Sequence, residues 1–431
     1  MKNLSEKQEE KICKEWLPKK LGNVAEFKNG LNYVEGDCGY EIKMIGVQDF
    51  RDNFTISYAS LSLVSLSSPP REVDLLRNGD LLFVRSNGNR KLIGRVLLIK
   101  DLREPISHSG FTIRARITDT ELLPEFVGIY LRSFPTRKQI YVLGGGTNIS
   151  NLSQDILCEL DVPVPSLQEQ KKLCEVLGCC GRNIERIEQL IDAKTEFKRG
   201  LMQQLLTGRT RFDEFVIDRG SHLTQYGPVP NDWEYLHIGD LAREVTRKNS
   251  DGRELTVLSC TKHHGLVDSL KYFGKRVFSE NLSAYKVVKR GQFAYATNHI
   301  EEGSIGYQDL YDDALISPMY TVFETNEKVD HSFFFKLLKT ELYRHIFEVN
   351  TSGSIDRRGG LRWSDFARIK VALPSRPEQR RIAVVLEVCD HELDLQREQL
   401  VEFKKQKQGL MQKLLTGQIR VKIDEAQAIG V

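Results

Sequence analysis

Along residues 165–208 the apolar positions step by four and three: Leu173, Leu177, Cys180, Ile184, Ile187, Ile191, then Leu201 and Leu205, with Lys194 and Lys198 as polar interruptions. Heptad spacing of this kind lays one apolar seam along a helix, and a seam so long calls for a covering helix. Adding 209 to each position lands on Ile382, Leu386, Cys389, Leu393, Gln396, Leu400, Phe403, Lys407, Leu410 and Leu414, so the frame recurs near the C-terminus. Both stretches open on an S-x-x-E signature, Ser166 with Glu169 and Ser375 with Glu378. That pattern predicts a reciprocal capping box. Both close on Thr-Gly, at Thr207-Gly208 and Thr416-Gly417, where glycine can take the left-handed conformation that ends a helix. About 40 helical residues at ~1.5 Å each predict a rod of roughly 60 Å. Each copy is the natural partner of the other, and the globular residues between them favour an antiparallel pair.

The repeat is ungapped. Pro165-Ser166-Leu167-Gln168-Glu169-Gln170 returns as Pro374-Ser375-Arg376-Pro377-Glu378-Gln379, and Gly200 through Gly208 returns as Gly409 through Gly417; 374 − 165 and 409 − 200 are both 209. Each helix follows about 140 to 150 residues of period-two character. Asp80–Val84, Arg95–Ile99, Phe293–Ala296 and Tyr320–Phe323 read as strands between Gly and Asn turns, and helices are expected near Glu125–Arg132 and His331–Leu342. The two segments share a skeleton but little sequence: Leu21-Gly22-Asn23-Val24-Ala25 parallels Ile238-Gly239-Asp240-Leu241-Ala242, and Arg77-Asn78-Gly79-Asp80 parallels Lys289-Arg290-Gly291-Gln292. Gly146–Leu152 likewise parallels Gly353–Leu361.

The expected fold class is therefore α+β, with two mixed α/β domains joined by two long helices that form an antiparallel coiled coil with pseudo-twofold symmetry. The expected divisions are 1–15 (N-terminal helical segment), 16–164 (first domain), 165–208 (central helix), 209–232 (linker), 233–373 (second domain), 374–417 (C-terminal helix) and 418–431 (tail). Gly200 and Gly409 each cost a helix about 1 kcal/mol against Ala, and their recurrence predicts a close helix contact or a kink.

Charge adds a constraint. The chain carries 62 Lys and Arg against 59 Asp and Glu, and residues 16–164 alone hold 18 basic and 17 acidic side chains. A phosphate-binding surface must then be local. The start lacks the apolar core of a signal peptide, and no run approaches the ~18 apolar residues of a membrane span. The eight cysteines show no paired spacing and read as reduced thiols, which gives a cytoplasmic expectation without membrane partners.

The duplicated helix starts and ends, with the entry Gly227-Pro228-Val229-Pro230-Asn231-Asp232-Trp233, resemble the specificity subunit of type I restriction–modification systems, the HsdS family. The resemblance spans essentially the whole chain in the family's order. Glu15-Trp16-Leu17-Pro18 is a worn counterpart of the entry before Trp233. The resemblance implies two target recognition domains, each reading one half of a bipartite, asymmetric target in double-stranded DNA. The helices then act as a ruler between half-sites, which lie about 34–36 Å apart when one DNA turn separates them. It also implies docking of two methyltransferase subunits that carry S-adenosylmethionine, with nuclease/translocase subunits as further members. It implies no catalytic residue, metal or cofactor in this chain.

Two alternatives stand beside it: a coiled-coil scaffold whose globular domains bind protein, and a self-contained DNA-modifying enzyme. The enzyme lacks its parts. Ser68-Pro69-Pro70-Arg71 and Ser317-Pro318-Met319-Tyr320 each depart from an amino-methyltransferase loop and read as turns. Glu41-Ile42-Lys43 lacks a suitably spaced Asp, no phosphate-binding G-x-x-x-x-G-K-[ST] loop exists, and Cys260-Thr261-Lys262-His263-His264 has no second ligand pair. DNA contacts are expected from flexible donors on loops. In the first domain these are Lys28, Asn29, Arg85, Asn87, Asn89, Arg90, Lys91, Thr147 and Asn148. In the second they are Arg247, Lys248, Asn298, His299, Ser352, Ser354, Arg357 and Arg358.

Overall fold

The computed structural model describes residues 13, 15–33, 39–50, 56, 58–144, 151–351 and 360–423. Its two compact units are residues 1–188 with 399–431, and residues 189–398.

Two uninterrupted helices of 40 residues, α1 (Leu167–Leu206) and α2 (Arg376–Leu415), match the heptad reading. Each contributes one part to each unit. In the second unit Lys194 pairs with Glu392 at 2.7 Å and Lys198 with Asp390, so the chains run antiparallel there. In the first unit Lys404 pairs with Glu188 at 2.7 Å and Lys407 Nζ lies beside Gly181, so the helices run antiparallel there too. The ends of the seam sink into the globular cores. Leu173, Leu177, Leu414 and Leu415 join the first core, and Leu205, Leu206, Ile382 and Leu386 join the second. The helices therefore pair with each other and also close both domains. At ~1.5–3 kcal/mol per fully buried Leu or Ile, those ends tie each domain's stability to both helices.

The first domain holds a four-stranded antiparallel sheet in the order Ala25–Asn29, Thr112–Ile117, Leu81–Val84, Val96–Leu98. A three-stranded sheet of Ser62–Leu66, Tyr40–Ile45 and Ile106–His108 accompanies it, its last pair parallel. The second domain repeats the plan. Ala242–Val245, Tyr320–Thr325, Phe293–Ala296 and Ile305–Tyr307 form the antiparallel sheet. Val257–Thr261 pairs parallel with Asp313–Ile316 in the other. The expected helices are Pro124–Leu131 and His331–Leu338. Short two-stranded pairings, Pro18–Lys20 with Asp161–Pro163 and Glu234–His237 with Lys370–Leu373, fasten the start of each domain to the strand before its helix.

Two expectations about the helices change. The capping boxes are not reciprocal. Ser166 Oγ accepts from Glu169 N at 3.3 Å, but the Glu169 carboxylate accepts from Trp16 Nε1 (3.1 Å) and from Arg420 Nε (2.5 Å) and Nη2 (2.9 Å). Glu378 does the same, accepting from Trp233 Nε1 (3.2 Å) and from Arg211 Nε and Nη2 (both 2.8 Å). Each arginine also lies over its tryptophan ring, at 5.5 and 5.6 Å. The worn entry at Trp16 is thus a faithful equivalent of Trp233. Secondly, Gly200 and Gly409 mark no close contact: the helices continue uninterrupted through them, and an added Cβ would meet nothing within 4 Å. Close approach belongs to Gly208 and Gly417, both at φ +71°. A Cβ on Gly208 would lie 2.5 Å from Pro230 Cγ and 3.2 Å from Trp233. A Cβ on Gly417 would lie 3.5 Å from Trp16.

Candidate nucleic-acid interface

In the first domain a cleft of about 500 Å³ opens where three elements end together. Strand Leu81–Val84 delivers Ser86, Asn87 and Gly88. Strand Tyr40–Ile45 delivers Gly46, Val47 and Gln48, and the turn before Thr112–Ile117 delivers Ser109 and Phe111. Tyr33 completes the lining. The backbone welds these ends: Arg85 N donates to Phe111 O at 2.8 Å, and Leu152 N donates to Arg85 O at 2.8 Å. The rim is aromatic and exposed, with Phe111 at 62% and Tyr33 at 41% accessibility. Apolar rings left in water beside amides suit a ligand having both flat apolar faces and hydrogen-bonding edges.

Asn87 Oδ1 accepts from Asn89 N at 2.8 Å, and Asn89 Oδ1 accepts from Lys91 N at 3.2 Å. Two successive side-chain turns thus hold the Asn87–Lys91 loop, and the amide NH₂ groups have no partner among the described residues. Ser109 is 3% accessible and its Oγ has no partner among the described residues. Behind the cleft His108 is buried, and burial, with Arg114 nearby, lowers its pKa to about 3. Thr112 Oγ1 donates to Ser109 O (2.7 Å), so it must accept from His108 Nδ1 (2.9 Å), which makes Nδ1 the protonated nitrogen of a neutral ring. The hydrogen bond from Arg71, with Lys28 close by, holds Asp74 down at about 2.

The second domain presents the matching ends with other groups. Thr297 O accepts from Leu361 N at 2.9 Å, as Arg85 O does from Leu152. Asn298 and His299 follow that strand and are exposed. Thr297 Oγ1 donates to Met319 O at 2.9 Å, and Met319 is 62% accessible. The turn Lys262-His263-His264 is exposed. Lys339 Nζ donates to both Lys262 O (2.8 Å) and Gly303 O (2.6 Å), which brings that turn against the one after His299. Burial pushes the Cys260 thiol up to about 12. Ser317–Tyr320 is a turn, closed by Tyr320 N to Ser317 O at 3.0 Å. His299, Glu301 and Glu302 form the only grouping of three with metal-ligand donors among the described residues. Two of the three are exposed, and His299 Nδ1 rests 3.3 Å from Glu302.

Arg85, Asn87, Asn89 and Lys91 stand at the open end of the first domain, with Arg90 in the short helical turn Arg90–Leu92. Asn29 is exposed at the end of its strand and accepts from Gln154 Nε2 at 3.0 Å. Lys28 lies inside that strand, not on a loop, and its ammonium sits 2.6 Å from buried Asp74. Arg247 and Lys248 follow strand Ala242–Val245. Arg247 O accepts from Val287 N at 2.8 Å, and Lys248 bridges to Lys286. Thr147, Asn148, Ser352, Ser354, Arg357 and Arg358 lie outside the described residues. The sequence reading missed Gln48, Tyr33, Ser109 and Phe111. One signal was available: Phe111, set between Gly110 and a strand start, is an aromatic with no place in the alternation of the strand it precedes.

Two domains of one topology and unlike open ends, each closed by parts of the same two helices, define a protein with paired recognition domains. Comparison with known proteins agrees. Residues 13–193 match the type I restriction modification DNA specificity domain. The chain is 25% identical over 429 residues to the MjaX type I restriction enzyme specificity subunit of Methanocaldococcus jannaschii, a name given there provisionally, with 95% of each chain covered. It is 26% identical over 294 residues to the MjaVIII specificity subunit of the same organism, covering 64% of this chain and 66% of the relative. A solved chain from a study of assembly and conformational transition in the type I R-M system shares the fold at TM-score 0.57 and 16% identity, over 95% of this chain and all of the other. By these matches the chain is similar to the type I restriction–modification specificity subunits. Among the described residues no helix is long and apolar enough to cross a membrane.

Proposed function

We propose that this chain is the DNA sequence-specificity subunit of a type I restriction–modification complex, each domain reading one half of a bipartite, asymmetric duplex target. One observation carries the reading. Corresponding strand ends of two domains with a common topology present different polar and aromatic groups, Gln48, Asn87 and Phe111 in one and Lys262, His264, Asn298 and Met319 in the other. A shared frame holds the reading ends, while their side chains set which bases are accepted. The helices set the spacing and dock two methyltransferase subunits, which bring S-adenosylmethionine and the methyl-transfer chemistry. Nuclease/translocase subunits join that core, and this chain is non-catalytic. Duplex DNA contacts come from the loops around Arg85–Lys91, Asn298–His299 and Lys248, and from Asn29.

The test is methylome sequencing of cells that express the partner methyltransferase with and without this chain. One gapped, bipartite motif disappears when the chain is absent. An unchanged methylome refutes the reading and favours the scaffold alternative.

A further inference from the structure

We propose that the first-domain cleft reads the edge of an adenine·thymine pair, with Gln48 as its principal specificity residue and Gly46 as the residue that positions Gln48. This rests on the function proposed above and assigns one base step of it to named side chains.

Gln48 is exposed, at the rim of the cleft, one short turn after the end of strand Tyr40–Ile45. Its amide folds back across Gly46. A Cβ at position 46 would sit only 2.6 Å from Nε2, with Oε1 also in collision. Glycine leaves room for the amide to fold back there, and any Cβ would push it to another rotamer. On the opposite wall Asn87 spends its Oδ1 on Asn89 N and keeps its two N–H donors. Ser109 Oγ, in a residue 3% accessible, has no partner among the described residues. That hydroxyl is buried beneath the cleft surface, so it lies behind the reading groups rather than among them. Exposed Phe111 and Tyr33 provide flat apolar surface at the same mouth.

The donor set selects the ligand. An amide offers one acceptor and one donor side by side, which matches the N6–H₂ and N7 edge of adenine, and the ring of Phe111 suits the C5-methyl group of the paired thymine. Guanine presents two acceptors there and prefers Arg or Lys, and the lining holds no cation among the described residues. A phosphate would likewise ask for charge that the lining lacks.

The experiment uses the chain assembled with its methyltransferase subunits. The wild-type methylome defines the motif, and competition binding then compares duplexes changed one base pair at a time. One good bidentate contact supplies ~1–3 kcal/mol of discrimination, or about 5- to 150-fold. Gln48→Ala is expected to lose that factor at one A·T position of one half-site, leaving the other half-site and the gap intact. Gln48→Glu is expected to shift that same position toward cytosine, whose N4 amino group donates to a carboxylate. Gly46→Ala should reproduce Gln48→Ala, because its methyl displaces the amide. If Gln48→Ala abolishes methylation, the binding panel still decides: loss at one pair supports the assignment, and uniform loss across all duplexes overturns it. Unchanged discrimination in both Gln48 variants also overturns it. A wild-type chain that directs no gapped motif instead fails the proposed function itself.

Discussion

Removing the Glu378 carboxylate should destabilise the second domain more than removing its equivalent, Glu169, destabilises the first. Both accept from one tryptophan and from two nitrogens of one arginine. Their surroundings differ. Arg211 is 9% accessible and Glu378 1%, whereas Arg420 is 41% accessible against 2% for Glu169. Truncating one partner of a buried pair costs about 3–5 kcal/mol, because the other charge stays buried. Arg211 keeps Asp232 at 2.5 Å, which places Glu378→Ala toward about 3 kcal/mol. Arg420 can rehydrate, so Glu169→Ala should cost about 1.5–2 kcal/mol, the scale of lost charge-assisted hydrogen bonds. The difference of roughly 1 kcal/mol is about a fivefold change in local opening. Native-state hydrogen exchange, read on peptides containing Trp16 and Trp233, measures each domain separately. Glu378→Gln, which keeps an acceptor for Trp233, should fall between wild type and Ala. An Ala cost at Glu169 equal to or above that at Glu378 would refute the argument from burial.

His108 makes the first domain acid-sensitive. Its folded pKa of about 3 lies below the ordinary histidine value of 6.5, so the unfolded chain binds the proton first. The stability it contributes is complete above pH 6.5 and falls as pH drops toward 3, by about 2 kcal/mol at pH 5. His108→Gln should flatten that part of a stability–pH profile measured by urea unfolding. Gly181→Asp should stabilise the helix pair by about 0.5–1 kcal/mol in thermal unfolding. Its Cβ position lies 3.3 Å from Lys407 Nζ, the repeat equivalent of the Lys198 that pairs with Asp390. Replacing Arg85 and Arg90 by Ala should weaken DNA binding by the assembled methyltransferase and reduce the salt slope by up to about 2, with no change in unfolding midpoint. Unchanged affinity would remove both from the interface.

Much of the fold was legible because periodicity and caps are local. The 209-residue repeat fixed two helices, and Thr-Gly closed both at φ +71°. The paired glycine motifs Gly22 and Gly239 marked equivalent turns packed against Cys158 and Ala367. Glu169 and Glu378 were read as caps because S-x-x-E is a local pattern, but their real partners lie far along the chain, at 16 and 420 or at 211 and 233. Of the candidate DNA residues, the Arg85–Lys91 loop was visible from its Asn and Arg content. Lys28 looked alike and proved to be tied to Asp74.

The sequence by itself determined a duplicated chain, two long paired helices and two diverged α+β domains, since hydrophobic period, capping residues and repeat register need no knowledge of distant contacts. The tertiary structure alone decided which side chains share a surface. Gln48, Asn87 and Phe111 come from three separate elements, and only the pairing of strands through space sets two amides and an exposed ring around one cleft.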